Sequence, residues 1–297
     1  MVDQQREFVS ERRGSLSIHV LGTLVQDLLP NIEADPDHFF HSPGCEIIKD
    51  QKKIKVARLK LKIQGDMRTI YLKRYNAFSW RYRLGSLFQA SGALRSLRGA
   101  AILSESGIRT ACPLAAVDSR LWGMLNGSFF LSEEIQNGKT ADAYWREELL
   151  PMKCKEGVER RKRFLQGIGE LFRCLHQQDV YHNDLKDANI LVRRDSSTAS
   201  EQFFLLDLEG IRRYRRLNRR RRSKNLVQLN RTLGKYVRTT DKLRFLKSYL
   251  GPSFSDRAEK RDWVAGVFRQ SSRLDRLRNI EISPMAMANK ASPESHP

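Results

Sequence analysis

Residues 182–192 read HNDLKDANILV. Two acids, a lysine and two amides stand directly ahead of a short apolar run. A turn here presents Asp184 and Asn189, five residues apart, to one space. Ile190–Val192 then anchor the far end as a strand. This pattern suits chemistry in which charge is handled at a point. A carboxylate orients a hydroxyl and accepts its proton, and an oxygen ligand holds a divalent cation. An acidic turn before a strand is common by itself, so the surroundings decide.

Phosphoryl transfer from ATP needs two further parts: another metal-binding acid, and a lysine to steady the phosphates. FFLLDLEG (203–210) places Asp207 after four apolar residues. A carboxylate buried beside such a strand is costly without a partner, and a divalent cation is a natural one. Glu209 is either a further ligand or a solvated acid. IYLKRY (70–75) sets Lys73 in a strand. Lys186 is placed to approach the transferred phosphate. The roles expected are base for Asp184, metal ligands for Asn189 and Asp207, and phosphate binding for Lys73. Their order along the chain is that of protein-kinase-like folds.

The chain has 297 residues, 40% of them hydrophobic, enough for one large domain or two lobes. Residues 1–14 read as a loose arm. CEIIKD (45–50), KIKVARLKLKI (53–63) and RTIYLKRY (68–75) are rich in β-branched residues and alternate in part, with a turn at Gly65–Asp66. Residues 80–106 favour a helix, with Leu84, Leu87, Phe88, Leu94, Leu97, Ala101 and Ile102 at helical spacing. Leu114–Val117 and Gly127–Ile135 read as two more strands, with Asn126–Gly127 between them. QNGKTA (136–141) is a turn-rich break and the expected lobe boundary. Beyond it, Phe164, Ile168, Leu171, Phe172 and Leu175 make one stripe of a helix over 158–177. NILVRR and QFFLLDL are two short strands, and residues 212–270 a basic helical region. The expected layout is α+β: a strand-rich N-lobe over 15–137, a helix-rich C-lobe over 138–282, and a disordered tail over 283–297.

HNDLKDANIL followed by DLEG resembles the catalytic and metal-binding loops of the protein-kinase-like superfamily. YLKRY, FSWRYRLGSLFQ, SGALRSLRGAAILSESGIRTACPLA, FFLSEEI and the arginine-rich segment through NLVQLNRTL narrow it. Together they resemble the lipopolysaccharide core kinases of Gram-negative bacteria, the Kdo/heptose kinase (WaaP-like) family, over roughly residues 40–250. The resemblance implies a bilobal kinase fold, dependence on ATP and Mg²⁺, and phosphorylation of a sugar hydroxyl on a membrane-anchored glycolipid. By fold position, Glu133 and Glu134 then stand in the inter-lobe hinge, where backbone near Ile135 meets adenine. Solvated surface acids are the plainer reading of that pair.

Four positions depart from the kinase pattern. No GxGxxG lies between residues 40 and 73, so the phosphate-covering loop is a divergent hairpin, expected around HSPGCEI (41–47). Ser96 stands where an acidic partner for Lys73 is expected, and Glu105 is the acid available near the helix end. Asn183 replaces an arginine that reads a phosphorylated loop in regulated protein kinases. DLEG replaces DFG, whose phenylalanine sets the active state. His182 reads as a packed histidine supporting the loop. Lys139 is not in a P-loop, since the required first glycine is Glu133.

Lys+Arg of 54 against Asp+Glu of 34 gives a net charge of +20, which favours polyanions. The run Arg212–Lys224 holds eight arginines and a lysine. It reads as a contact for a polyanionic acceptor or for the anionic inner leaflet, the alternatives being a solvated helix face or an unspecific nucleic-acid patch. Nucleic acid is not the expected partner. Cys45, Cys112, Cys154 and Cys174 form no CxxC pair and read as reduced thiols of a cytosolic protein. The polar N-terminus is no signal peptide, and no apolar run is long enough to span a bilayer. Work at the inner face of the membrane is therefore expected from its surface. Two rival readings stay open: an atypical protein Ser/Thr kinase, and an inactive kinase fold that binds membrane or nucleic acid.

Overall fold

The computed structural model describes residues 7–288 of the chain. The fold is mixed α and β, and the chain divides into two compact units. The first comprises residues up to Gly138 together with Leu191–Arg213; the second comprises Lys139–Ile190 and the chain from Tyr214 onward. The sequence expectation placed the whole of 138–282 in one lobe, whereas segment 191–213 groups with the first unit.

The first unit is built on a seven-stranded sheet of order β1-β2-β6-β7-β5-β4-β3. Its strands are β1 (Phe8–Arg13), β2 (Leu16–Leu21), β3 (Glu46–Gln51), β4 (Ile54–Ile63), β5 (Asp66–Asn76), β6 (Pro113–Leu121) and β7 (Met124–Glu133). Every pairing is antiparallel. Alternation sorts the side chains. Ile18, Val20, Ala57, Leu59, Ile63, Ile70, Leu72, Val117 and Leu131 are buried in one cluster with Leu28 and Ile32 of α1 (Val25–Ala34) and with Phe39. The odd-numbered residues of β5, Tyr71, Lys73 and Tyr75, take the opposite face. That face is covered by α3 (Gly92–Glu105), where Tyr75 and Ser96 hydroxyls lie 2.8 Å apart.

Three turn and terminus expectations need correction. Phe8–Arg13 is a strand paired with β2, not a loose arm; residues 1–6 lie outside the described residues. The β6–β7 turn is Trp122–Gly123, with φ of +50° and +77°, the geometry of a two-residue primed hairpin turn. Asn126–Gly127 lie inside β7. The register jumps from Ser119↔Gly127 to Arg120↔Leu125, leaving Asn126 as the extra residue of a bulge. HSPGCEI only leads into β3. The glycine-free hairpin that follows is β3–β4, turning at Lys52–Lys53.

The expected single helix over 80–106 is two, α2 (Trp80–Gly85) and α3. Ser91 breaks the run, because its side chain accepts from the backbone N–H of Leu94 at 3.0 Å and starts α3 anew. Strands β8 (Ile190–Arg194) and β9 (Glu201–Leu205) then pair and lead into the DLEG turn.

The second unit is helical: α4 (Lys155–Gln177), α5 (Arg219–Arg231), α6 (Thr239–Leu250) and α7 (Arg257–Ala288). The stripe Phe164, Ile168, Phe172 and Leu175 is fully buried. Of the expected disordered tail, residues 283–288 continue α7, and residues 289–297 lie outside the described residues.

Candidate functional site

The expected site residues gather separately in each of the two units. In the first, β5 sends Leu72 into the core and so turns Lys73 to the α3 face. Its ammonium lies 2.5 Å from a carboxylate oxygen of Asp207. Asp207 ends the apolar run of β9 in a left-handed conformation, φ 56° and ψ 56°. Aspartate tolerates that region better than most residues, since its short side chain bonds locally. Burial acts against the charge of Lys73, but its pKa is held above the ordinary value, with the Asp207 carboxylate bonded to its ammonium. Burial also pushes the Tyr75 phenol up to about 12, so it stays a neutral hydroxyl whose ring lies 5.0 Å from the Lys73 ammonium.

Lys73 and Asp207 line a cavity of about 510 Å³. Val56, Phe130, Leu191 and Leu206 give it apolar walls, and Glu134, Ile135 and Gly138 form one rim. Glu134 is held by Arg58 through two bonds of 2.7 and 3.0 Å, which keep its carboxyl below the usual pKa. Its backbone N–H bonds Thr69 at 3.0 Å. Apolar walls, a fixed backbone edge and a lysine–carboxylate pair in one cavity suit a flat heterocycle with a phosphate tail.

Glu105 does not serve Lys73. It pairs with Arg213 at 2.6 Å and lines a separate cavity with Arg109 and Arg193. Ser96, where an acid was expected, lines the Lys73 cavity and bonds Tyr75. Glu209 pairs with Arg95 at 3.4 Å. The buried face of α3 is Gly92, Ala93, Ser96, Gly99, Ala100 and Leu103. A Cβ at Gly99 would run into the carbonyl oxygen of Leu208. At Gly99 the helix thus packs directly against the DLEG turn, and Lys73 takes its counter-charge from Asp207.

In the second unit the expected residues lie in the loop 182–189. His182 is fully buried and accepts from the Asp184 N–H at 3.1 Å, which orients the loop. Asp184 pairs with Lys186 at 2.7 Å. The Asn189 amide nitrogen donates to the Asp184 carbonyl at 2.7 Å and to its carboxylate at 3.3 Å. Both of these bonds use the amide nitrogen of Asn189 and not its amide oxygen.

Sequence reasoning missed the residues behind this loop. Asn225 donates to the His182 carbonyl at 2.6 Å, and Gln228 donates to that of Asn183 at 2.9 Å. Gln228 also accepts from the Leu185 N–H at 3.1 Å, and Thr232 from that of Asp187 at 3.4 Å. Positions 225, 228 and 232 share one face of α5 and its end, and that spacing of polar residues among leucines was readable. Buried His176 bridges Asn225 at 3.1 Å and Tyr249 at 3.0 Å. Burial, with Arg222 nearby, lowers its pKa to about 4, so the ring is neutral.

The oxygen donors Asp184, Asn189 and Asp207 are of the kind that holds Mg²⁺ together with phosphate oxygens. Among the described residues no cluster of three or more His, Cys, Asp or Glu side chains forms a metal site. The described helices include none long and apolar enough to cross a membrane.

The chain matches the model of the lipopolysaccharide kinase (Kdo/WaaP) family over residues 48–249. Among solved structures it is similar to WaaP in complex with acyl carrier protein. The TM-score is 0.58 at 19% identity, with 81% of this chain and 92% of that one covered. A comparison with curated proteins finds no match.

Proposed function

Since the chain belongs to the lipopolysaccharide kinase (Kdo/WaaP) family, whose members are phosphotransferases, we propose that it moves the γ-phosphoryl group of ATP to a sugar hydroxyl of a lipopolysaccharide-type core glycolipid. The observation that carries this reading is the Lys73–Asp207 pair in the wall of the 510 Å³ cavity, beside the rim of Glu134 and Ile135. Adenine lies against Ile135 and the apolar walls. Lys73 exchanges Asp207 for the α- and β-phosphates. Asp207 and Asn189 would each offer an oxygen ligand to Mg²⁺, whose chemistry would be to draw charge off the phosphates. Asp184 accepts the proton of the sugar hydroxyl as its oxygen attacks the γ-phosphorus, and ADP departs. Lys186 stabilises charge on the group in transfer. Positioning and charge neutralisation supply most of the rate gain.

Transfer of radiolabelled γ-phosphate tests this reading. Wild type and Asp184→Ala are each given deacylated core oligosaccharide or a generic protein acceptor. Label on the oligosaccharide, absent in the variant and abolished by chelation of divalent cations, is expected. Label on protein alone would favour the atypical protein kinase. No label with any acceptor would favour the inactive fold.

Two partners belong to this proposal. Within Arg212–Lys224, Arg213 bonds Glu105, Arg219 and Arg221 stack on Trp263 and Tyr214, and Arg222 bonds the His176 carbonyl. The exposed remainder, including Arg215, Arg216, Arg220 and Lys224, is the part available to an anionic membrane surface on the cytoplasmic side or to the acceptor's phosphates. Acyl carrier protein is the partner in the similar structure. An apolar cavity of about 110 Å³ in the second unit, lined by Leu165, Ile168, Leu229, Val264 and Phe268, suits the end of an acyl chain. Size-exclusion chromatography with acylated and acyl-free carrier tests this. A complex with the acylated form alone is expected, and equal behaviour of both forms would refute a role for the chain.

A further inference from the structure

Between Asn76 and Glu105 the chain carries four arginines and no acid. Between Ser119 and Ser132 it carries Arg120 and again no acid. The first unit joins these stretches. The Ser86 hydroxyl accepts from the Leu125 N–H at 2.9 Å, and Arg120 donates to the carbonyls of Ser86 at 3.3 Å and Gly123 at 2.9 Å. Arg83 reaches the side-chain oxygen of Asn126 at 3.4 Å. Helix α2 with its following turn is thereby fastened to the β6–β7 hairpin.

Large apolar side chains project around this seam. Phe88 is 91% exposed, Trp122 85% and Trp80 67%, with Leu84, Leu87 and Leu121 beside them. The other two tryptophans, Trp145 and Trp263, are 2% and 6% exposed. The hydrogen bonds above hold the backbone beneath these groups, so their projection is built in. Arg81 stacks on Trp80, its guanidinium carbon 5.6 Å from the ring centre, and Arg83 is exposed beside it.

We propose that this edge is a membrane-inserting surface, and that its partner is an anionic lipid bilayer. Trp80, Phe88 and Trp122 enter the boundary between headgroups and acyl chains, where tryptophan is favoured. Arg81 and Arg83 meet lipid phosphates above them. The features that select a bilayer are projecting tips rather than a groove, and charge of one sign. A fluid, planar, anionic layer accepts both; a folded protein would have to offer matching pockets. The proposal extends the membrane-surface part of the proposed function, adding the apolar anchor that the arginine run lacks. Its test requires no kinase activity.

The full chain is floated with vesicles of phosphatidylcholine alone and of phosphatidylcholine with phosphatidylglycerol. Tryptophan emission is followed with and without brominated lipids. Wild type is expected to float with the anionic vesicles, with emission shifted to the blue and quenched by bromine. The combined variant Trp80→Ser, Phe88→Ser, Trp122→Ser is expected to bind about tenfold or more weakly, while treating a water-soluble sugar acceptor as wild type does. Arg215→Gln with Arg216→Gln and Arg220→Gln should retain the bromine quenching. Wild type that does not float, or floats unquenched, would overturn the proposal, as would a triple serine variant that floats equally well. A wild-type dimer that the same variant dissociates would instead make the edge a contact between copies of the chain. Failure of sugar phosphorylation in every sample would count against the kinase reading alone.

Discussion

The Lys73 ammonium and the Asp207 carboxylate lie 2.5 Å apart, each the counter-charge of the other. Lys73→Met strips Asp207 of that counter-charge, and Asp207→Asn strips Lys73. Each change is expected to lower kcat/KM by about a hundredfold to a thousandfold, since Lys73 would meet the phosphates and Asp207 would ligate the cation that neutralises them. The double variant should fall little further than either single one, because the residues act as a unit. Steady-state kinetics over the four proteins checks this; simple addition of the two losses would argue that they work separately.

Gly99→Ala places a methyl group against the Leu208 carbonyl. The expected result is a loss of about 1–3 kcal/mol in stability and a fall in turnover greater than that of Leu97→Ala on the same helix. Urea denaturation read beside activity separates the two effects. An unchanged Gly99→Ala enzyme would show that α3 can withdraw from the DLEG turn at no cost.

Asn225 is the tie between α5 and the His182 carbonyl. Asn225→Ala leaves that carbonyl, Gln228 and His176 short of a partner. A loss of about 1–3 kcal/mol is expected for such a buried bond. The Asp184 loop should loosen, lowering kcat while nucleotide binding in the first unit stays near wild type. Nucleotide titration beside kinetics gives the readout; equal losses in both would contradict it.

His176 makes stability depend on pH. Its folded-state pKa, about 4, lies below the ordinary 6.5. The neutral ring's contribution is therefore complete above about pH 6.5 and is lost as pH falls toward 4. The full loss is about 3 kcal/mol. Urea midpoints between pH 7.5 and 4.5 should fall for wild type and fall less for His176→Gln, these pH limits being about the span of the transition. Parallel curves would show that other groups set the dependence.

Much of the site was legible because its chemistry is local. HNDLKDAN folds into a loop that bonds itself, so its spacing, read with Lys73 and Asp207 in order along the chain, brought Asp184 together with Asn189. Lys73 was readable from alternation, since Leu72 needed the core. What was not legible depends on distant partners. Nothing within α3 says that Arg213 will reach Glu105, so Glu105 looked available to Lys73. The helix over 80–106 was misjudged because leucine periodicity continues through Ser91, whose capping bond outweighs it. Asn126–Gly127 is good turn chemistry, yet the Trp122–Gly123 pair closed the hairpin and left it as a bulge.

The seating of α3 on the DLEG turn bears on how this enzyme can be inhibited. In kinases with a phenylalanine after the metal-binding aspartate, that ring packs in one state and leaves in another. Here Leu208 is buried, and its carbonyl lies under Gly99. A compound that works by dislodging this turn would have to lever a whole helix off the sheet. Chemical screens against this chain should therefore favour molecules that fill the 510 Å³ cavity as it stands and engage Lys73, Glu134 or Asp207 directly.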